Sequence, residues 1–156
     1  MADQAMTYVY LFNACLFLVC GYAFWGGGAP ERATGLIFLV AAAASYTVPY
    51  SHFHVVEGPL FAVDLLTLAA LTVIALTANR YWPLYIAAIQ LLTVGIHAVK
   101  AYEPELVYWL YNWASAVLAY PTLILLVIGV ARHRERVALL GGDRPWSSGG
   151  SRELMS

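Results

Sequence analysis

The sequence predicts an all-α integral membrane protein, a bundle of five transmembrane helices with its N-terminus outside and its C-terminus inside. Three observations carry that expectation. The 156 residues are 62% hydrophobic and only 11% charged, against about 25% charged in a soluble domain, which has a large wetted surface to cover. Five apolar runs approach the roughly 20 residues that cross hydrocarbon as a helix. Laying out five crossings then gathers the basic residues on one side.

The runs are residues 7–25, 33–50, 60–78, 83–101 and 106–130. Residues 1–6 hold Asp3 and no Lys or Arg, unlike the positive start of a secretory signal, so the first run reads as a retained span. Cys15 and Cys20 lie in it five positions apart, roughly 140° around a helix, which disfavours a mutual disulfide. Gly26-Gly27-Gly28-Ala29-Pro30-Glu31-Arg32 reads as a turn.

The second run is the weakest, being the shortest and ending in Thr47-Val48-Pro49-Tyr50. If it fails to span, four helices plus a re-entrant segment remain. Its small-residue patch, Ala41 to Ser45, lets helices approach closely. Pro83 suits the first turn of the fourth helix, and Pro121 should kink the fifth.

After residue 130 the chain changes character. Arg132-His133-Arg134-Glu135-Arg136 reads as a stop-transfer cluster, and residues 141–156, rich in Gly and Ser, read as a flexible tail. The expected organisation is a bundle over 1–131 and a cytoplasmic tail over 132–156.

Lys and Arg accumulate on the cytoplasmic side. With the C-terminus inside, Arg32, Arg80, Arg132, Arg134, Arg136, Arg144 and Arg152 fall inside and only Lys100 outside. Tyr108, Trp109, Tyr111 and Trp113 then sit at the outer mouth of the fifth helix, and Tyr81 and Trp82 at the inner mouth of the fourth, where such rings favour the headgroup level. A net charge of −1 suggests no nucleic-acid partner. No internal repeat of the kind found in many transporters is visible. Ala-rich spans, short loops and the lack of an N-x-S/T sequon point to a bacterial inner membrane.

Ionisable groups in hydrocarbon are costly, so each needs a reason. Gln90, Thr93, His97 and Lys100 share one face of the fourth helix, and Asp64 and Thr67 share one on the third. Tyr108, Asn112 and Ser115 line up on the fifth; Tyr10, Asn13, Phe17 and Cys20 do so on the first. Asp64 lies roughly 6 Å below the outer boundary at 1.5 Å per residue, with His97, Asn13 and Asn112 also in the outer half. Above them runs a loop with His52, His54 and Glu57. The candidate site is therefore His52, His54, Glu57, Asp64, His97, Lys100, Asn13 and Asn112.

The plainest use of these groups is mutual hydrogen bonding, with Asp64 paired to His97 or Lys100. A metal would draw on His52, His54, His97 and Asp64, whose nitrogen and oxygen donors suit Zn²⁺, Cu²⁺ or Fe²⁺. A haem or quinone pocket would use His54 with His97. A proton or small-solute path would use Asp64, His97 and Lys100, although the inner half is nearly all apolar. The sequence carries no nucleophile elbow, phosphate loop, catalytic Cys–His pattern or dense histidine motif.

The leading expectation is a small non-catalytic accessory or assembly subunit of the inner membrane. Its partners would be the bilayer and other membrane subunits or further copies of itself, with no cofactor. The alternative is a periplasm-facing polar site that binds a metal or redox cofactor (haem, quinone) or passes protons or a small solute.

Overall fold

In the computed structural model, which describes residues 2–47, 58–102 and 108–147, the apolar runs fold into five helices. They are α1 (Ala2–Gly26), α2 (Ala29–Thr47), α3 (Gly58–Thr77), α4 (Trp82–Tyr102) and α5 (Tyr108–Leu140). Each packs against its neighbours in the chain, and α5 returns to α1 and also touches α2. The bundle is thus closed around an interior to which all five helices have access.

The packed core sits in one half of that interior. Ala23, Leu71, Trp82, Ile86, Leu126 and Val130 form one buried cluster. Leu16, Cys20 and Leu123 form a second, against Phe12 and Phe38. Both cysteines are free thiols. Large apolar side chains also cover the outside: Leu18 is 74% exposed, Leu66 71% and Leu76 73%. In water each would forgo roughly 1.5–3 kcal/mol of burial, whereas in lipid the outward surface is already solvated.

Four helices contain a stretch long and apolar enough to cross a membrane: Val9–Gly26, Gly58–Thr77, Trp82–Val99 and Val117–Leu140. This is a multi-pass helical membrane bundle. The second helix, expected as a span, is not among these four. It begins four residues earlier than the apolar run suggested and takes in Glu31 and Arg32, while Ser45, Tyr46 and Thr47 close it. Among the described residues it shows no apolar stretch of the length seen in the other four.

The largest departure from expectation lies at the end where α1 gives way to α2 and α3 to α4. The fifth helix does not stop near 130 but runs to Leu140, and residues 141–147 fold back on the bundle instead of forming a loose tail. Gly141, at φ +70°, ends the helix in the left-handed conformation glycine adopts freely, and its N–H donates to Val137 O at 3.0 Å, the αL cap. Beyond it, the N–H of Asn79 donates to Pro145 O at 3.2 Å. Ser147 Oγ donates to Thr77 O at 2.9 Å, and Ala78 and Trp146 form an isolated bridge.

Charges lock that fold-back. Asp143 Oδ2 lies 2.5 Å from Arg80 Nη2, 2.6 Å from His133 Nδ1 and 3.2 Å from Arg136 Nε. Arg80 reaches on to Glu31 Oε1 at 3.3 Å, and the two side chains are 4% and 0% exposed. Such burial is costly unless opposite charges meet, and here two carboxylates face two guanidinium groups and an imidazole. Burial opposes ionisation of Asp143, but hydrogen bonds from His133, Arg80 and Arg136 and the Arg80 charge outweigh it and hold the carboxyl below its ordinary range.

The tryptophan at the start of α4 also differs from expectation. Tyr81 is exposed, but Trp82 is buried in the core and lies against Gly129, where a Cβ would stand 2.7 Å from the Trp82 Cε2 atom. Arg134 instead stacks over Trp25 at 5.3 Å.

Candidate functional site

Next to the second of these clusters, the side chains at the centre leave a space. Alternating chemistry along α3 and α4 builds its polar wall. Asp64 and Thr67 are one turn apart on α3, and Gln90, Thr93 and His97 follow one face of α4 at i, i+3 and i+7. The two faces meet because α3 and α4 pack side by side.

The carboxylate of Asp64 is the hub. His97 Nε2 lies 2.9 Å from Asp64 Oδ2. Gln90 Nε2 donates to Asp64 Oδ1 at 3.0 Å and, at 3.4 Å, to the Asp64 carbonyl. Phe61 packs against the His97 ring, with centroids 6.4 Å apart. The expectation that Asp64 finds its partner on the fourth helix holds.

Beside this triad lies a cavity of about 320 Å³ that Asp64, Thr67, Gln90, Thr93 and His97 line on one side. Phe12 and Leu16 of α1, Phe38 of α2, and Leu118 and Leu123 of α5 line the rest of this partly open cavity. Asp64 is 26% exposed and His97 11%, so the carboxylate still faces open space after making its bonds. The volume is at the small end of the roughly 300–1,000 Å³ typical of ligand pockets. A polar corner beside apolar walls has the chemistry to orient a small amphipathic molecule.

No family model, curated protein or solved structure matches this chain. What the site does must be read from its own chemistry.

The other expected residues distribute differently. Asn13 takes no part in the Asp64 cluster: its Nδ2 donates to Val9 O at 2.8 Å and to the Tyr46 hydroxyl, tying α1 to α2. Its reach is spent there, because a carboxamide this short cannot also cross to α3. His52, His54 and Glu57 lie outside the described residues, as do the side chains of Lys100 and Asn112. Among the described residues no three His, Cys, Asp or Glu side chains converge as a metal set; Asp64 with His97 supplies two donors.

Sequence reasoning missed the opposite cluster of Glu31, Arg80, His133, Arg136 and Asp143. In the sequence the arginines mark sidedness and a stop-transfer cluster, and the region around Asp143 reads as a flexible tail. A signal was present: Glu31 and Asp143 each stand next to an arginine and within three residues of a glycine in short, turn-like stretches. Gly28 admits the partners, since a Cβ there would fall 2.8 Å from His133 Cε1 and 3.0 Å from Glu31 Oε2.

Proposed function

We propose that this is a non-catalytic, multi-pass membrane protein that binds a small amphipathic molecule inside the bundle. One observation carries the reading: a ligand-sized cavity of about 320 Å³ opens onto Asp64 while the carboxylate is only partly covered by His97 and Gln90. A purely structural triad needs no chamber beside it, because protein interiors are otherwise close-packed. Native mass spectrometry of protein released from mild detergent is the test. The expected result is a non-covalent adduct of small-molecule mass that disappears when Ala119→Leu fills the cavity. A wild-type protein free of adducts, with the same spectrum as Ala119→Leu, would count decisively against the site.

The topology that accompanies this reading has all five helices crossing, the N-terminus outside and the C-terminus inside a bacterial inner membrane. It is supported by the meeting of the α1–α2 turn, the α3–α4 loop and the end of α5 through Glu31, Arg80 and Asp143, which puts Arg80 and the basic end of α5 on one side. Cysteine labelling at Arg144 and Gly58 from each side of oriented vesicles tests it; labelling of both from the same side refutes it.

A second reading, an accessory or assembly subunit, is favoured by α2. Among the described helices it alone lacks a span-length apolar stretch, as expected of a helix covered by a neighbour rather than by lipid. Co-purification in mild detergent decides it. Migration as a lone 17.1 kDa species with no partner band speaks against it.

A further inference from the structure

The polar wall of the cavity has already committed its protons. Thr67 Oγ1 donates to Val63 O at 2.7 Å, Thr93 Oγ1 to Ile89 O at 3.2 Å and Thr122 Oγ1 to Ala119 O at 2.6 Å. Ser45 Oγ donates to Ala41 O at 2.9 Å. All four residues line the cavity, and a hydroxyl has a single proton, so each oxygen has only lone pairs left to offer. Gln90 directs its amide nitrogen at Asp64, which leaves the acceptor Oε1 as its remaining polar atom. The proton between His97 Nε2 and Asp64 Oδ2 is held within that pair.

The charge points the same way. A carboxylate accepts at about four lone-pair positions, and Asp64 keeps part of its surface open to the chamber. Its neighbours on the other walls are apolar, so a positive guest supplies the opposite charge that they do not. An acceptor-only guest would instead set lone pairs against lone pairs.

We infer that the cavity selects a ligand with a hydrogen-bond-donating, cationic head, a protonated amine on a small apolar body, and discriminates against acceptor-only heads such as quinones, ketones and carboxylates. This rests on the reading of the cavity as a binding site and adds the chemistry of its occupant. An ammonium offers up to three N–H donors to Asp64, the Gln90 Oε1 and the threonine oxygens, while Phe12, Leu16 and Leu123 surround the body. Ala41, Val63 and Thr67 wall both this cavity and an apolar groove between α2 and α3. The chamber therefore adjoins the apolar outer face of the bundle, which suits a guest that partitions into lipid.

The full chain in lipid nanodiscs, titrated calorimetrically with octylamine, octan-1-ol, octan-2-one and octanoate against empty nanodiscs, tests the inference. Octylamine is expected to bind saturably and at least tenfold tighter than octan-2-one or octanoate, with octan-1-ol between. Asp64→Asn should weaken octylamine at least tenfold. The shape-conserving pair Thr93→Val and Thr122→Val, which keeps the triad intact, should weaken it about threefold by removing acceptors. If octan-2-one or octanoate binds as tightly as octylamine, the donor inference is overturned while the binding site stands. If none of the four binds saturably and the wild-type protein carries no adduct, the site itself falls and the inference with it.

Discussion

Arg80, in the loop between α3 and α4, places Nη2 2.5 Å from Oδ2 of Asp143, 63 positions further along the chain. Both side chains are nearly sealed from solvent. The contact pins the segment after α5 against the α3–α4 loop, and through Glu31 it includes the start of α2. Asp143→Asn removes the charge on which Arg80, His133 and Arg136 converge. Breaking a buried pair from one side costs about 3–5 kcal/mol; His133 and Arg136 are partly exposed here, so about 3 kcal/mol is expected in reversible unfolding from mixed micelles. A change within 0.5 kcal/mol, roughly the scatter of neutral surface substitutions, would show that the network contributes nothing.

Acid should loosen the same segment. The folded pKa of Asp143 is held below its ordinary value, so the native state favours the ionised form. The stabilisation is present in full above the ordinary carboxylate value of about 3.9, and is lost as pH falls through the lower folded value. Hydrogen exchange at the Asn79 amide, which donates to Pro145 O, reports it. Protection should drop in that window in the wild type and be low and flat in Asp143→Asn.

Arg80→Met should cost more than Asp143→Asn, about 4 kcal/mol, because it strands Glu31 without a cation as well as weakening the hold on Asp143. Adding Glu31→Leu should restore most of that loss, since a buried pair replaced by apolar side chains is often neutral or better. A double-mutant cycle measures the coupling. Additive losses would mean that the 3.3 Å approach of Arg80 and Glu31 carries no energy.

Two glycines in helices should respond oppositely to alanine. At Gly129 a Cβ would meet Trp82 Cε2 at 2.7 Å and Nε1 at 2.9 Å, and moving a ring out of a packed core costs about 1–3 kcal/mol. That outweighs a helix-propensity gain of about 1 kcal/mol. At Gly21 nothing lies within 4 Å, so the gain stands alone. Gly129→Ala should lower Tm and Gly21→Ala raise it.

Asp64 variants separate architecture from binding. Interhelical hydrogen bonds in membranes average only about 0.6 kcal/mol, so Asp64→Asn and His97→Ala should each shift stability by about 1 kcal/mol and still assemble. Loss of octylamine binding in such folded protein marks a binding group. Collapse of the bundle with either change marks the triad as a structural bolt.

Much of the bundle was legible in the sequence, because a helix in lipid must satisfy its backbone internally and cover itself with apolar side chains over a fixed length. Runs such as 60–78 and 83–101 obey that rule almost residue by residue. The face of α4 carrying Gln90, Thr93 and His97 was legible for a similar reason, since side chains three and four apart share a helix surface. Asn13 was harder. Its face and depth matched the others, but only packing shows that Tyr46 is the partner within reach.

The sequence by itself determined that this chain belongs in a bilayer, that its helices form around the five apolar runs, and that Asp64 and His97 sit on faces able to meet. These are properties of length, composition and helical period, all local along the chain. Only the tertiary structure decided that the triad borders a cavity, and that the threonines around it spend their protons on their own helices. It alone made a buried ion network of Glu31, Arg80 and Asp143 from what read as a turn, a sidedness marker and a tail. The physical reason is the same in each case. A void and a buried charge pair are defined by groups distant in sequence, and no pattern along one segment records what the other four helices bring to meet it.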